Sequence, residues 1–335
     1  MQKNTFAKHK IDSIDAILEI AYAFQNSRVL LTACEFEIFS AIDDEGLSAE
    51  EISKKIDTDT KATERLLNAL CGLKLLYKKE GLYYNTELSL KHLVHGSEEF
   101  MGNLEYIAST WDMWSNLSQT IKTGMSTDAG LYLKNSEKII DSFASAAFWR
   151  ASIEAPEIIK LINLKNVNKI LDLGGGKGAY AREFVKQKPG INVTIYEISQ
   201  VAKYARQYIA EWGLQQQISV IEGDFTSQDI GKGYDLIFLS RIIELYSIWD
   251  NVKLLRKCFD ALKNDGMIVI HEMVINDYRT SPLQHTMLSL NLLLNTKSGD
   301  VYTETDIWVL LKEAWFRNIR RIDTPFDTTL MIGIK

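Results

Sequence analysis

Cysteine, proline and histidine are all scarce here, at three, four and five among 335 residues. Cys34, Cys71 and Cys258 lie far apart and form no CxxC pair. That spacing excludes a disulfide-stapled scaffold or a zinc ribbon and suits reduced thiols in a cytosol. So little proline leaves no room for a proline-rich linker or a long disordered tract. No segment reaches 18 uninterrupted apolar residues, so no membrane-spanning helix is expected. The opening MQKNTFAKHKIDSID lacks the apolar core of a signal peptide, and a cytoplasmic protein is the expectation. An excess of basic charge is missing too. The net charge of −6 has the wrong sign for a nucleic-acid or anionic-membrane partner.

What is present describes a globular chain: 46% of residues are apolar, and the length suits one large domain with a smaller one. Residues 12–42 place Ile14, Ile17, Leu18, Ala21 and Tyr22, then Val29, Leu30, Ala33, Phe36 and Phe39, at helical spacing. LSAEEISKKI opens with a capping box, Ser48 and Glu51. KATERLLNALCGLKLL reads as a further helix, and KKEGLYYNT as two short strands about Gly81. Helix, turn, helix and hairpin describe a winged helix over residues 1–100. Residues 101–165 are helical and rich in methionine and aromatics.

From 166 to 335 the period changes. NKILDLG, VTIYEI, ISVIEGDF, YDLIFLS and MIVIHEMVI are buried strands separated by helical stretches over 177–187, 199–213 and 247–263, which predicts a parallel, doubly wound α/β sheet. After a helix over 304–316, NIRRIDT and TTLMIGIK are joined only by a PFD turn, too short for a parallel crossover, so they must pair antiparallel.

LDLGGGKGAYARE follows the first of these strands. Gly174, Gly176 and Ala179 satisfy the loose dinucleotide pattern, so the loop alone leaves NAD and a dehydrogenase open. The acids decide between ligands. Asp172 stands at the tip of the first strand, where a carboxylate faces a cationic amino group better than a pyrophosphate. Glu197 ends the second strand and can accept from two ribose hydroxyls. Asp224 and Phe225, in GDF after the third strand, suit an adenine amino group and ring. An amino-acid head, a ribose and an adenine together make S-adenosylmethionine.

On these motifs (LDLGGGKG, Glu197, GDF, and KLLRKCFDALKNDGMIVIHEMVI), residues 168–335 resemble a class I S-adenosylmethionine-dependent methyltransferase, down to the antiparallel last strand. The whole chain resembles the small-molecule O-methyltransferases typified by plant caffeate and bacterial antibiotic-pathway enzymes. The resemblance implies a seven-stranded Rossmann-like sheet and an N-terminal winged-helix dimerisation domain, hence a homodimer acting on a small-molecule substrate. It further implies that Gly174, Gly176, Glu197, Asp224 and Phe225 hold the cofactor, with Ser240 and Arg241 beside its methionine part. The Ser-Arg pair matches phenazine-methylating relatives.

The resemblance also exposes a departure. O-methylating members keep a His-Asp pair after the fourth strand, with the His framed by two glutamates. Here those positions fall on Glu244 and Leu245. The first framing acid matches Glu272, while the second falls near Val301 and is lost. Three readings of Glu244 stand: a general base in place of His, a substrate contact in an N- or C-methyltransferase that works by alignment alone, or an i, i+3 bridge to Arg241. His271 and Glu272, adjacent on a strand, point to opposite faces, so no metal site is expected. Met101, Trp111, Phe143, Phe148, His285 and Met287 are the expected pocket wall, with ordinary core packing the alternative. A DNA-binding regulator is opposed by charge, since residues 1–100 carry 12 basic against 17 acidic side chains. A catalytically inactive cofactor-binding scaffold would keep the same cofactor site.

Overall fold

The computed structural model describes residues 12–42, 45–97, 99–101, 103–126 and 137–335, so the reading of residues 1–11 as lacking a signal peptide lies outside the described residues. The chain divides into two compact units, Met1–Trp111 and Asp112–Lys335.

The first unit contains α1 (Ile14–Glu35), α2 (Ile38–Ala41), α3 (Ala49–Lys55), α4 (Thr60–Gly72), the hairpin β1 (Leu76–Lys79) and β2 (Leu82–Asn85), α5 (Glu87–His92) and α6 (Asn103–Ser109). The capping box is present: Ser48 Oγ accepts the Glu51 N–H while a Glu51 carboxylate oxygen accepts the Ser48 N–H. Asp59 caps α4 in the same way through the Ala62 N–H. Ala33, Ile38, Phe39, Ile52, Leu67, Leu70 and Tyr83 form this unit's core. The first half of α1 instead exposes Ile14, Ile17, Ile20, Tyr22 and Phe24.

In the second unit, α7 (Trp111–Ser115, opening on the last residue of the first unit), α8 (Leu117–Thr123) and α9 (Glu137–Lys160) precede the sheet. The sheet holds β3 (Lys169–Leu173), β4 (Asn192–Glu197), β5 (Ile218–Glu222), β6 (Tyr234–Ser240), β7 (Leu262–Glu272), β8 (Arg317–Asp323) and β9 (Thr329–Ile334). Between them run α10 (Ala179–Gln187), α11 (Ser199–Glu211), α12 (Ile248–Ala261), α13 (Leu283–Asn295) and α14 (Glu304–Glu313). The strand order is β5-β4-β3-β6-β7-β9-β8. The first five strands are parallel, and β9 enters antiparallel between β7 and β8, as the short PFD connection requires.

Alternation along β6 shows how both faces are filled. Leu236 and Phe238 join a layer with Ile158, Ile159, Tyr180 and Phe184 from α9 and α10. Ile237 and Leu239 join the opposite layer with Leu254, Leu255, Ile307 and Leu311 from α12 and α14. Each such fully buried aliphatic or aromatic side chain contributes about 1.5–3 kcal/mol. The strand order reverses between β3 and β6, and the loops leaving the carboxyl ends of β3, β4 and β6 open there, where open α/β sheets bind their ligands.

Candidate active site

Asp172 lies in β3 opposite Ile195 of β4 and Phe238 of β6, and is 1% exposed. Its Oδ2 has no hydrogen-bond partner among the described residues. Burial, reinforced by the charge of Glu197 and opposed by the Ala181 N–H, pushes this carboxyl up to about 7. An unpaired buried acid at a strand tip fits a ligand that brings its own cation.

The glycine loop turns directly above it. Gly174 has φ +72°, and a Cβ there would sit 2.3 Å from Ile242 Cδ1, so both conformation and space demand glycine. A Cβ on Gly175 would meet Asp172 Oδ2 at 2.6 Å. At Gly176, with φ +56°, nothing lies within 4 Å of that position, which leaves the loop's far side open for a ligand. Glu197 anchors this loop to β4: its Oε2 accepts the Gly176 N–H at 2.9 Å and its Oε1 accepts the Ile198 N–H at 2.9 Å. Burial raises its pKa against these two amides. Each oxygen keeps a second lone pair for a ribose hydroxyl.

The GDF turn is differently employed. Asp224 is exposed, and its oxygens accept from the Thr226 N–H and hydroxyl and from the Ser227 hydroxyl. The Phe225 ring is buried edge-on against Tyr196 and Tyr246, at 6.3 and 6.2 Å between centroids, with its edge beneath Gly174. Lys257 ties the turn down by donating to the carbonyls of Phe225, Thr226 and Gln228.

At the end of β6 the Ser240 hydroxyl lies 2.9 Å from His271 Nδ1, which also faces the Tyr180 hydroxyl at 3.2 Å. Thr328 Oγ1 lies 2.8 Å from His271 Nε2. Burial first, then Arg241 and Arg150, push His271 down to about 3, so it stays neutral. Arg241 takes the left-handed conformation, φ +61°, an uncommon choice for a side-chain-bearing residue. Its Nε donates to Glu244 Oε1 at 3.0 Å and lies 3.9 Å from Glu272 Oε2. The i, i+3 bridge is therefore made.

The bridge does not exhaust Glu244. That side chain, on a 3-10 turn over Ile243–Leu245, is 6% exposed, and its Oε2 is buried without a partner among the described residues. Glu272, 2% exposed, spends Oε1 on the N–H groups of Ile242 and Ile243, at 2.9 and 3.1 Å, and so holds the turn that carries Glu244. Burial drives its carboxyl well above the usual range, and neighbouring Glu244 adds to this against the pull of Arg241.

Two supports escaped the sequence reading. Asn251 of α12, fully buried, donates to the carbonyls of Ile243 and Tyr246 and clamps the Glu244 turn from outside. Glu154 of α9 reaches the Tyr180 hydroxyl at 3.5 Å and places a third carboxylate near Arg241. An acid among the apolar residues of FWRASIEAPEIIKLI, which also holds Glu157, was the available signal for it.

The expected pocket-wall residues each have their own local surroundings. His285 is buried with its ring nitrogens facing the carbonyls of Val274 and Asp327, at 2.9 and 3.0 Å, so its polar atoms are spent on backbone. Phe148 stacks on Tyr208 of α11 at 4.7 Å and lies near Trp212. Phe143 and Met287 are partly exposed. Within the first unit, Met101 lines a recess with Cys34, Phe39 and Phe100, and Arg28 stands over the Trp111 ring at 5.2 Å. Among the described residues no group of three or more His, Cys, Asp or Glu side chains is arranged to hold a metal, and no helix is long and apolar enough to cross a membrane.

The sheet order, the antiparallel β9, and acids at the tips of β3 and β4 around an open glycine loop define an S-adenosylmethionine-dependent methyltransferase. Residues 119–317 match the O-methyltransferase domain and residues 18–95 the O-methyltransferase dimerisation domain. The chain belongs to the O-methyltransferase family. It is 30% identical to acetylserotonin O-methyltransferase of Gallus gallus over 345 residues, covering 96% of this chain and 97% of that one. It is 25% identical over 329 residues to 3-hydroxy-5-methyl-1-naphthoate 3-O-methyltransferase of Streptomyces sahachiroi, covering 95% and 94%. The solved structure of human N-acetylserotonin methyltransferase in complex with SAM superposes with a TM-score of 0.86 at 25% identity, covering 98% of this chain and 99% of that chain.

Proposed function

We propose that the protein methylates a hydroxyl group on a small, flat aromatic metabolite, and that Glu244 accepts the hydroxyl proton. The observation that carries this reading is the Glu244 side chain itself: buried on the turn after β6, fixed through one oxygen by Arg241, with the other oxygen unpartnered among the described residues. S-adenosylmethionine, when bound, supplies an electrophilic methyl group on its sulfonium. Asp172 would hold the amino group of that cofactor, Gly174 and Gly176 let it approach the backbone, and Glu197 would accept from the ribose hydroxyls. Asp224 and Phe225 remain candidates for the adenine end, and Ser240 and Arg241 for the methionine end. Arg241 and Glu272 keep Glu244 oriented, and alignment of the acceptor contributes the rest.

The relatives named for naphthoate and acetylserotonin methylation support a fused-ring acceptor of that size. Phe143 and Met287 are proposed as part of its apolar wall. The exposed apolar stretch of α1 and the match to a dimerisation domain support a second copy of this chain as the partner of residues 1–100. Three free cysteines suit a reducing cytoplasm.

The direct test is formation of S-adenosylhomocysteine with a panel of hydroxylated naphthoates and indoles, each paired with its amino-substituted and unsubstituted analogue. Turnover confined to hydroxylated members is expected; turnover of amines alone would replace this reading with N-methylation.

A pH dependence follows from Asp172. In the free protein its carboxyl is pushed up to about 7, and a bound ammonium group favours the ionised form. Ligand binding therefore releases a proton below that pH. S-adenosylhomocysteine affinity should fall about tenfold per unit as pH drops below 7 and level off above it. Calorimetry in buffers of different ionisation enthalpy reads the released proton directly. Asp172→Asn should bind weakly with no such slope; an unchanged slope would remove Asp172 from the site.

A further inference from the structure

Lys177 occupies the glycine loop at a position where the turn itself calls for no charge, yet it is only 5% exposed. Its Nζ donates to Asp141 Oδ1 at 2.8 Å and to Ser145 Oγ at 2.7 Å, one helical turn apart on α9. The ammonium also stands over the Tyr204 ring of α11 at 4.7 Å and faces Tyr208 at 5.9 Å. A buried ammonium is costly unless paired in this way, so the side chain holds three elements in register: the loop, α9 and α11. An independent contact places α9 over the same edge. Ile140 and Ala144 pack against Ile198, which follows Glu197, and against Val201 of α11. The helix thus meets the glycine loop through Lys177 and also the segment that follows Glu197, the acid that accepts the Gly176 N–H. The Asp141 side chain keeps 44% exposure, so this attachment is open to water and reversible.

We propose that Lys177 is a positioning residue for the cofactor: it bolts α9 over the glycine loop, and the hold on S-adenosylmethionine depends on the Lys177–Asp141–Ser145 contact. The proposal rests on the reading that this loop carries that cofactor. Deleting the contact loosens α9 and lets the ligand leave faster, with the loss falling on the cofactor's KM more than on kcat. Salt should weaken the attachment through the exposed Asp141, and S-adenosylhomocysteine affinity in the unaltered protein should decline with it.

The test is titration of S-adenosylhomocysteine by calorimetry into the full chain and into Lys177→Met, Lys177→Arg and Asp141→Asn, with amide hydrogen exchange across residues 140–160. Lys177→Met and Asp141→Asn should each weaken binding about tenfold and together cost little more than either alone, since both break one contact. Exchange should rise in α9 while the amides of β3, β6 and β7 stay protected. Lys177→Arg, which keeps the charge, should recover most of the affinity. Affinity equal to the unaltered protein in both Lys177→Met and Asp141→Asn overturns the proposal, as does a loss accompanied by faster exchange throughout the sheet. An unaltered protein that fails to bind S-adenosylhomocysteine overturns the cofactor reading along with it, so the two failures are distinguishable.

Discussion

Glu197→Ala is expected to weaken S-adenosylhomocysteine binding about 100-fold. Two losses combine. The side chain is the acceptor for the Gly176 and Ile198 N–H groups, so its removal leaves two backbone donors unpaired at the mouth of the site and frees the loop it anchors. It is also the only acid at the tip of β4, where a ribose would present its hydroxyls. Hydrogen bonds to a charged group contribute about 1.5–3 kcal/mol each, and two made imperfectly amount to roughly 3 kcal/mol, or about two orders of magnitude in Kd. Glu197→Gln keeps one accepting oxygen and should lose only about tenfold. Calorimetric Kd values decide the matter, with thermal unfolding as the control for general damage. A Glu197→Ala protein that binds within threefold of the unaltered one would take Glu197 out of the cofactor site.

Much of this architecture was legible because it is written in short-range pattern. The apolar runs became β3 to β7 because β3, β6 and β7 are buried on both faces and β4 and β5 extend the same parallel sheet to its edge, and the short PFD connection forced the antiparallel end. Ser48 and Glu51 lie three residues apart, so their mutual cap needs no tertiary information. Asp172, Glu197 and Arg241 were findable for a similar reason: each sits where a strand stops and its loop must meet solvent or ligand. Partners distant in sequence were not findable. Nothing local pairs Tyr180 with His271, 91 residues on, or Lys177 with Asp141, 36 residues back. Periodicity says which face a residue takes and leaves open what it meets there. The surroundings of the pocket-wall candidates were hidden on that ground. His285 and Phe148 stand at helical spacing like any lining residue, but backbone carbonyls claim one and the α11 aromatics the other. Asp224 is intermediate: its place after β5 was legible, while its capture by Thr226 and Ser227 depends on hydroxyl rotamers that no spacing reveals.

Glu244→Gln should cut kcat on a hydroxylated aromatic by about 100-fold, near the lower end of what a general base contributes, while the Kd for S-adenosylhomocysteine moves less than about twofold. The surroundings single out this carboxylate. Glu272 is pushed well above the usual range by burial, and its Oε1 is spent on the Ile242 and Ile243 N–H groups that hold the turn. His271 is pushed down to about 3 and faces hydroxyl groups at both ring nitrogens. Its ring is neutral but enclosed, behind Ser240. Glu244 combines a hydrogen bond from Arg241 with an oxygen that has no partner among the described residues, while the Oε1 of Glu272 is already taken by two backbone amides. Glutamine keeps the shape and the contact to Arg241 but accepts no proton. The loss should therefore shrink to a few-fold with an acceptor acidified by a nitro group, because such a hydroxyl arrives already ionised. A merely structural Glu244 would affect both acceptors alike, since both need the same turn in the same place. Equal losses on the two acceptors would leave Glu244 as the partner of Arg241 only, and would assign the rate enhancement to alignment.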